Sequence, residues 1–171
     1  RELFQPGLPR PVVVFDLDGV LISDALGYGD VFYQTLSEIS GLPRDIVEPL
    51  AHNNYIRTGR GLDGLIDQIE GWTLEKATLC HNQASHTFLT TVLPTIAPHT
   101  ALSSQLETLA TRTAALGLLT ANRRHHGETV LNGIAIGHHF TPWLVMGSDC
   151  ANDKHKNCVD GYAPLLQRIH H

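Results

Sequence analysis

The 171-residue chain has few cysteines, no long apolar run and no excess of positive charge. Its three cysteines (Cys80, Cys150 and Cys158) form no CxxC pair, which argues against a disulfide framework and a thiolate zinc site, so a cytoplasmic location is expected. Apolar runs are far shorter than the roughly 20 residues of a membrane helix. The net charge is -5 and no basic block is present, so neither a membrane nor nucleic acid is an expected partner.

Histidine, in contrast, is abundant, and several of the eleven histidines are adjacent in sequence, as in His125–His126 and His138–His139. Side chains of adjacent residues point in different directions on a helix or a strand, so such a pair does not easily bind one ion. We therefore expect these histidines at the surface.

Short apolar runs separated by helical patterns predict an α/β fold with a Rossmann-like parallel sheet. The β-branched run Val12 to Phe15 predicts a buried strand, and residues 115–120 and 143–146 predict two more. The intervening helical patterns would place helices on both faces of this sheet. Sites in such sheets lie beyond the carboxyl ends of the strands, which is where Asp16 and Thr120 fall. We expect the strand that ends at Asp16 and Asp18 to be central in the sheet.

Residues 28–92 have helical spacing of their apolar residues throughout. One stretch places Leu62, Leu65, Ile66 and Ile69 at i, i+3, i+4 and i+7, which predicts a helix ending at Gly71. This block follows the first strand, so the sequence predicts an α/β core of residues 1–24 and 93–171 with an inserted helical cap of residues 25–92.

The predicted cap contains one polar segment, residues 53–61, that is bounded by glycines at its end. Arg57 and Arg60 in this segment are candidates for contacting an anionic substrate when the cap closes. A solvated loop is the alternative interpretation.

The sequence motif with the clearest chemistry is Phe15-Asp16-Leu17-Asp18-Gly19. Two carboxylates this close repel one another unless a cation or a proton lies between them. A hard divalent cation such as Mg²⁺ takes oxygen ligands and would stabilise the pair. One carboxylate could then attack phosphorus, and the other could donate and accept protons. An acidic turn that ends the strand and caps the next helix is the structural alternative.

Residues 15–23, FDLDGVLIS, resemble the first motif of the haloacid dehalogenase-like (HAD) hydrolases. The resemblance implies that Asp16 is the nucleophile and a Mg²⁺ ligand. It implies that Asp18 is the acid/base and supplies its backbone carbonyl to the metal, with Gly19 at the substrate. The dehalogenase branch lacks an acid at the second position, so Asp18 favours phosphoryl transfer over carbon–halogen cleavage.

The second motif of that family is a threonine or serine at the end of the next strand. Leu118-Leu119-Thr120-Ala121-Asn122 is similar, and implies that Thr120 donates a hydrogen bond to the phosphate. Asn122 has two interpretations: it orients the substrate, or it is the N-cap of the helix that follows.

The third and fourth motifs match less well. Lys156 resembles the family lysine, with Lys154 as the alternative, and would neutralise the transferring phosphoryl group. The acidic motif should follow that lysine, whereas Asp149 and Asp153 precede it, so we interpret both as loop residues. By this resemblance, one strand and one metal carboxylate of the family are expected to be missing from this stretch. An unpaired side of the strand before Asp16 would favour a homodimer that supplies an edge.

The leading functional prediction is a Mg²⁺-dependent phosphate monoesterase acting on a phosphorylated small molecule through an aspartyl-phosphate. Two alternatives stay open. A phosphomutase would share the nucleophile and the cap, and a non-catalytic binding or regulatory protein would use the same fold without a complete metal site.

Overall fold

The computed structural model describes residues 9–23, 26–58, 61–150 and 159–169, and for residues 159–162 it describes the backbone alone. The chain divides into two compact units, one formed by residues 1–23 with 93–171 and the other by residues 24–92. Within the described ranges, none of the helices is both long enough and apolar enough to cross a membrane.

The first unit contains a parallel sheet of three described strands in the order β1-β2-β3, with bounds Val12–Phe15, Ala115–Leu119 and Val145–Met146. Val12 pairs with Ala115, and Leu118 pairs with Val145. The predicted parallel α/β arrangement is confirmed. The prediction that the strand before Asp16 is central is wrong for the described sheet, because β1 pairs with β2 alone and forms an edge.

The third strand is also shorter than predicted. Trp143 and Leu144 belong to a 3₁₀ turn, Pro142–Leu144, and the strand begins only at Val145. Pro142 explains the difference, because proline fixes φ near the helical value and has no N–H to donate to a neighbouring strand.

Six α-helices are described: α1 Tyr28–Ser40, α2 Arg44–Thr58, α3 Leu74–Thr87, α4 Thr100–Ala110, α5 Arg124–Gly133 and α6 Val159–Ile169. Helices α5 and α6 cover opposite faces of the sheet. Neighbouring residues of a strand point to opposite sides, so a helix that contacts Leu118 and one that packs with Leu119 lie on different faces. Gly127 of α5 lies against Leu118, and Leu165 of α6 belongs to the core cluster of Leu119 and Met146. The predicted helices on both faces are therefore present in this unit.

The second unit has its own core, formed by α1, α2, α3 and the segment between α2 and α3. Its fully buried members include Leu36, Val47, Leu65 and Cys80. Gly41 ends α1 with a φ of 73°, a left-handed conformation that glycine adopts without strain. Thr73 caps α3 by accepting a hydrogen bond from the backbone N–H of Lys76.

The helix predicted over residues 62–69 is instead a single 3₁₀ turn, Leu62–Leu65, followed by further turns. Leu62, Leu65 and Ile69 are nevertheless buried, as their spacing predicted. The indole N–H of Trp72 donates to the Leu62 carbonyl at 2.8 Å, and this carbonyl would otherwise accept from the backbone of Ile66 in an α-helix. A buried tryptophan thus replaces the regular helical hydrogen bond.

Candidate active site

The two acidic residues of the first motif lie in a tight turn that directly follows β1. Backbone N–H groups of Leu21 and Ile22 both donate to the Leu17 carbonyl, at 2.9 and 3.0 Å. Gly19 has a φ of 74°, and its N–H donates to the Ile22 carbonyl at 2.8 Å. This positive φ explains why glycine follows the second acid.

Burial of the apolar residues fixes the orientation of this turn. Leu17, Leu21 and Ile22 are 0%, 4% and 4% exposed, whereas Asp16 and Asp18 are half-buried. One carboxylate oxygen of Asp16, Oδ1, accepts the N–H of Leu17 at 2.8 Å. The apolar anchors therefore hold both carboxylates at the carboxyl end of the strand with water access.

The residues after β2 form the second part of the site. Thr120 is 1% exposed, and its backbone N–H donates to the Met146 carbonyl of β3 at 3.0 Å. Its hydroxyl oxygen accepts the backbone N–H of Asn122 at 3.1 Å. A hydroxyl that accepts one hydrogen bond still carries its own proton, so the O–H of Thr120 can donate a second hydrogen bond.

One side-chain hydrogen bond joins these two parts. The Asn122 amide nitrogen Nδ2 donates to Asp18 Oδ2 at 2.9 Å, across 104 positions of sequence. An amide that donates to a carboxylate fixes its orientation and makes one of the stronger classes of hydrogen bond. Asn122 is therefore a positioning residue for Asp18.

Asn122 is not the N-cap of α5. The N-cap position of α5 is Arg123, whose side chain makes no capping hydrogen bond. Asp149, in the turn Ser148–Cys150, takes this role instead, because its Oδ1 accepts the backbone N–H of Arg124 at 2.8 Å. A carboxylate at this end of a helix also interacts favourably with the helix dipole. Asp149 is thus an exposed loop residue that caps a helix.

The contact between the ends of β2 and β3 depends on a glycine that the sequence analysis missed. A Cβ on Gly147 would overlap the backbone of Asn122, Arg123 and Arg124, with the Asn122 oxygen only 2.5 Å away. The N–H of Ser148 donates to this same Asn122 carbonyl at 2.9 Å. Gly147 thereby lets β3 approach the segment that carries Asn122. The only signal in the sequence was a glycine directly after an apolar strand.

A second missed feature is the burial of His126, which was expected at the surface. His126 is 2% exposed, because it lies with Gly127, Val130 and Leu131 on the face of α5 that packs inward. Burial, with a smaller contribution from His125, lowers the pKa of His126 to about 4. His126 is therefore neutral at neutral pH, while its neighbour His125 is exposed.

Of the other residues predicted to contact the substrate or its phosphate, the structure describes Arg57. Arg57 is exposed in the last turn of α2, in the unit of residues 24–92. Arg60, Asp153, Lys154 and Lys156 lie outside the described residues. The described cluster therefore comprises Asp16, Asp18, Gly19, Thr120 and Asn122.

The donor set of this cluster is compatible with Mg²⁺. Asp16 and Asp18 provide oxygen donors, and Mg²⁺ in proteins commonly binds one or two carboxylates while it keeps several waters. In the part of the chain that the structure describes, no group of three or more histidine, cysteine or acidic side chains could hold a metal. Asp149 lies in the turn after β3, and its Oδ1 accepts the backbone N–H of Arg124.

Comparison with known proteins relates this chain to others through its fold. No protein-family model matches the sequence, and no curated protein matches it. A 1.7 Å crystal structure of a protein from Clostridium difficile, named as a candidate phosphatase, is similar with a TM-score of 0.59. The similarity covers 96% of this chain and 72% of that protein, at 18% sequence identity. The chain therefore shares the α/β fold of that protein.

Proposed function

We propose that this chain hydrolyses phosphate monoesters of small molecules through an aspartyl-phosphate on Asp16. The observation that carries the proposal is that the segments following β1 and β2 lie next to one another. The acid pair after β1 lies beside Thr120 and Asn122 after β2, and Asn122 holds Asp18 at 2.9 Å. A positioned acid next to a nucleophilic carboxylate and a hydroxyl donor is what transfer of a phosphoryl group requires.

In the first step, an oxygen of Asp16 attacks phosphorus, and the bond from phosphorus to the ester oxygen breaks. Asp18 gives its proton to the departing oxygen, which leaves as an alcohol. The hydrogen bond between the Leu17 N–H and Asp16 Oδ1 orients the nucleophile. The Thr120 hydroxyl, whose oxygen accepts the backbone N–H of Asn122, donates a hydrogen bond to a phosphoryl oxygen.

In the second step, Asp18 removes a proton from water, and the water oxygen attacks phosphorus. The bond from phosphorus to Asp16 breaks, inorganic phosphate leaves, and both acids regain their starting states. Asp18 acts as acid and then as base, so its fixed orientation by Asn122 serves both steps.

The Asp16 carboxylate and the Asp18 backbone carbonyl would hold Mg²⁺, which neutralises the negative charge of the phosphoryl oxygens when bound. A positive charge from Lys156, or from Lys154 as the alternative, stays a prediction of the HAD resemblance. The fold shared with a candidate phosphatase supports the same class of reaction. The phosphomutase alternative has no contact among the described residues in its favour.

The test is hydrolysis of p-nitrophenyl phosphate by the full chain, with Mg²⁺ and with a chelator. We expect Mg²⁺-dependent turnover that falls to background in Asp16→Asn, because an amide neither attacks phosphorus nor binds the metal. Asp18→Asn should lose about 10²–10⁴-fold, the usual range for general acid–base catalysis. Asp149→Asn, which changes a helix cap outside the cluster, serves as the matched control and should keep most of the activity.

Retained activity in Asp16→Asn would remove Asp16 as the nucleophile. A folded wild-type chain without any Mg²⁺-dependent turnover would contradict the proposal and favour the non-catalytic binding protein instead.

A further inference from the structure

The solvent-facing side of α2 carries an apolar stripe formed by Ile46, Pro49 and Ile56. Ile46 and Ile56 are 47% and 70% exposed, and Pro49 is also exposed. The opposite side of the same helix is buried, through residues such as Val47 and Ala51. Contiguous apolar patches on a protein surface are candidate sites for binding another protein.

A groove of about 320 Å³ includes Ile46 and Pro49 of this stripe, and Ile56 lies outside it. The other residues that line the groove are Asp45, Leu50, Asn53, Asn54 and Arg57 of α2, together with Gln68. Its charged ends have opposite sign, with Asp45 in the first turn of α2 and Arg57 in the last. The two ends are separated by about 18 Å along the helix axis, from the rise of 1.5 Å per residue.

This pattern is complementary to itself in the antiparallel direction. If a second α2 lies antiparallel across the first, centred on residue 51, then Asp45 of each copy faces Arg57 of the other. The same arrangement places Ile46 of each copy opposite Ile56 of the other. One patch used twice around a two-fold axis is the geometry of an isologous dimer.

We infer that α2 forms a homodimer interface in which two copies of this helix pack antiparallel. The chemistry selects a second copy of this chain, because its own helix matches both the apolar residues and the charged ends of the stripe. Charge complementarity of this kind fixes orientation and register.

The charges at the ends of α2 are available for this contact. Asp45 and Arg57 take part in none of the ion pairs of the described residues. Arg44, the neighbouring cation, is already engaged by Asp30 at 2.6 Å and by Glu48 at 3.0 Å. Asp45 therefore faces solvent without competition from Arg44.

A dimer through one pair of helices buries a small area, so it should form reversibly at micromolar concentrations or above. Sedimentation velocity of the full chain over a concentration series would measure it. We expect a sedimentation coefficient that rises with concentration toward the dimer value. Ile56→Ser should shift the midpoint to higher concentration, because it removes both Ile46–Ile56 contacts at once.

Charge reversal tests the antiparallel register. Asp45→Arg and Arg57→Asp each create two like-charge contacts per dimer and should weaken association, on the order of tenfold. The double variant with both reversals restores opposite charges and should recover the wild-type midpoint. Arg112→Asp, an exposed change on the segment after α4, is the matched control and should leave the midpoint unchanged. Circular dichroism confirms that each variant is folded.

A wild-type chain that stays monomeric at the highest concentration would overturn the inference. A dimer that none of the α2 substitutions affects would also overturn it, and would favour association through the edge of β1 that is unpaired in the described sheet. A folded double variant that does not recover association would refute the antiparallel register.

Discussion

Burial of His126 makes the stability of this chain dependent on pH in a way that can be calculated. The folded state lowers the pKa of His126 to about 4 from 6.5. Between these values the unfolded chain binds more protons than the folded chain, so acid favours unfolding. The destabilisation due to His126 is absent above about pH 6.5, grows as pH falls, and reaches its full size below about pH 4.

The expected size of the effect follows from the width of this pKa gap. Each pKa unit corresponds to about 1.36 kcal/mol, so the full penalty is roughly 3 kcal/mol and the part reached at pH 5 is about 2 kcal/mol. This cost is the free energy of placing a charged imidazole in a position that is 2% exposed.

Urea unfolding of wild type and His126→Gln at pH 7.5 and pH 5.0 would measure the difference. Carboxylates and other histidines contribute to both proteins, so the comparison isolates His126. The decrease in the free energy of unfolding should be about 2 kcal/mol smaller in His126→Gln. His125→Gln is the control; its decrease should stay close to that of wild type, since burial is the larger cause of the shift. Equal decreases in wild type and His126→Gln would refute the reasoning.

Two further substitutions test the packing and the positioning at the site. Gly147→Ala places a methyl group against backbone atoms that cannot rotate away, so thermal or urea unfolding should show a loss of about 3 kcal/mol. Gly29→Ala in α1, where the added carbon would meet nothing within 4 Å outside its own helical turn, is the control and should be neutral or stabilising by up to about 1 kcal/mol. A neutral Gly147→Ala would contradict the close approach of β3. Asn122→Ala should lower kcat for an aryl phosphate about 10- to 100-fold with little change in KM, because it removes the amide that orients Asp18. Asn82→Ala, on an exposed face of α3, is its control, and a change in KM alone would assign Asn122 to substrate binding.

Local patterns predicted much of this fold. The β-branched run before Asp16 gave β1, and the glycine after the acid pair has the positive φ that a tight turn needs. Helix ends were also predictable where a single residue decides them, as Gly41 and Thr73 do. In each case the decisive residues lie within a few positions of one another.

The errors arose where distant residues decide the outcome. The indole N–H of Trp72 donates to the carbonyl of Leu62, ten positions away, and a 3₁₀ turn forms where a helix was predicted. His126 is buried because α5 packs against the sheet, and sequence spacing alone does not identify the inward face when it holds a histidine and a glycine. The position of β1 at the sheet edge likewise depends on which other strands pair with it.

The site shows the same division. Asp16 and Asp18 follow β1 and Thr120 follows β2, as the apolar runs before them predicted. The hydrogen bond between Asn122 and Asp18 was not predicted. It spans 104 positions, and the local sequence was equally compatible with Asn122 as a helix cap. Asp149 takes that cap, a contact across 25 positions that no local pattern indicates.

The most direct test of the central claim is to locate the phosphoryl group during turnover. The full chain, mixed with Mg²⁺ and an aryl phosphate, is quenched in acid within the first turnovers, digested and analysed by mass spectrometry. The proposal predicts one added phosphoryl group on the peptide that contains Asp16, assigned to Asp16 by fragmentation and absent from Asp16→Asn. A phosphoryl group on another residue, or turnover without any phosphorylated peptide, would contradict it.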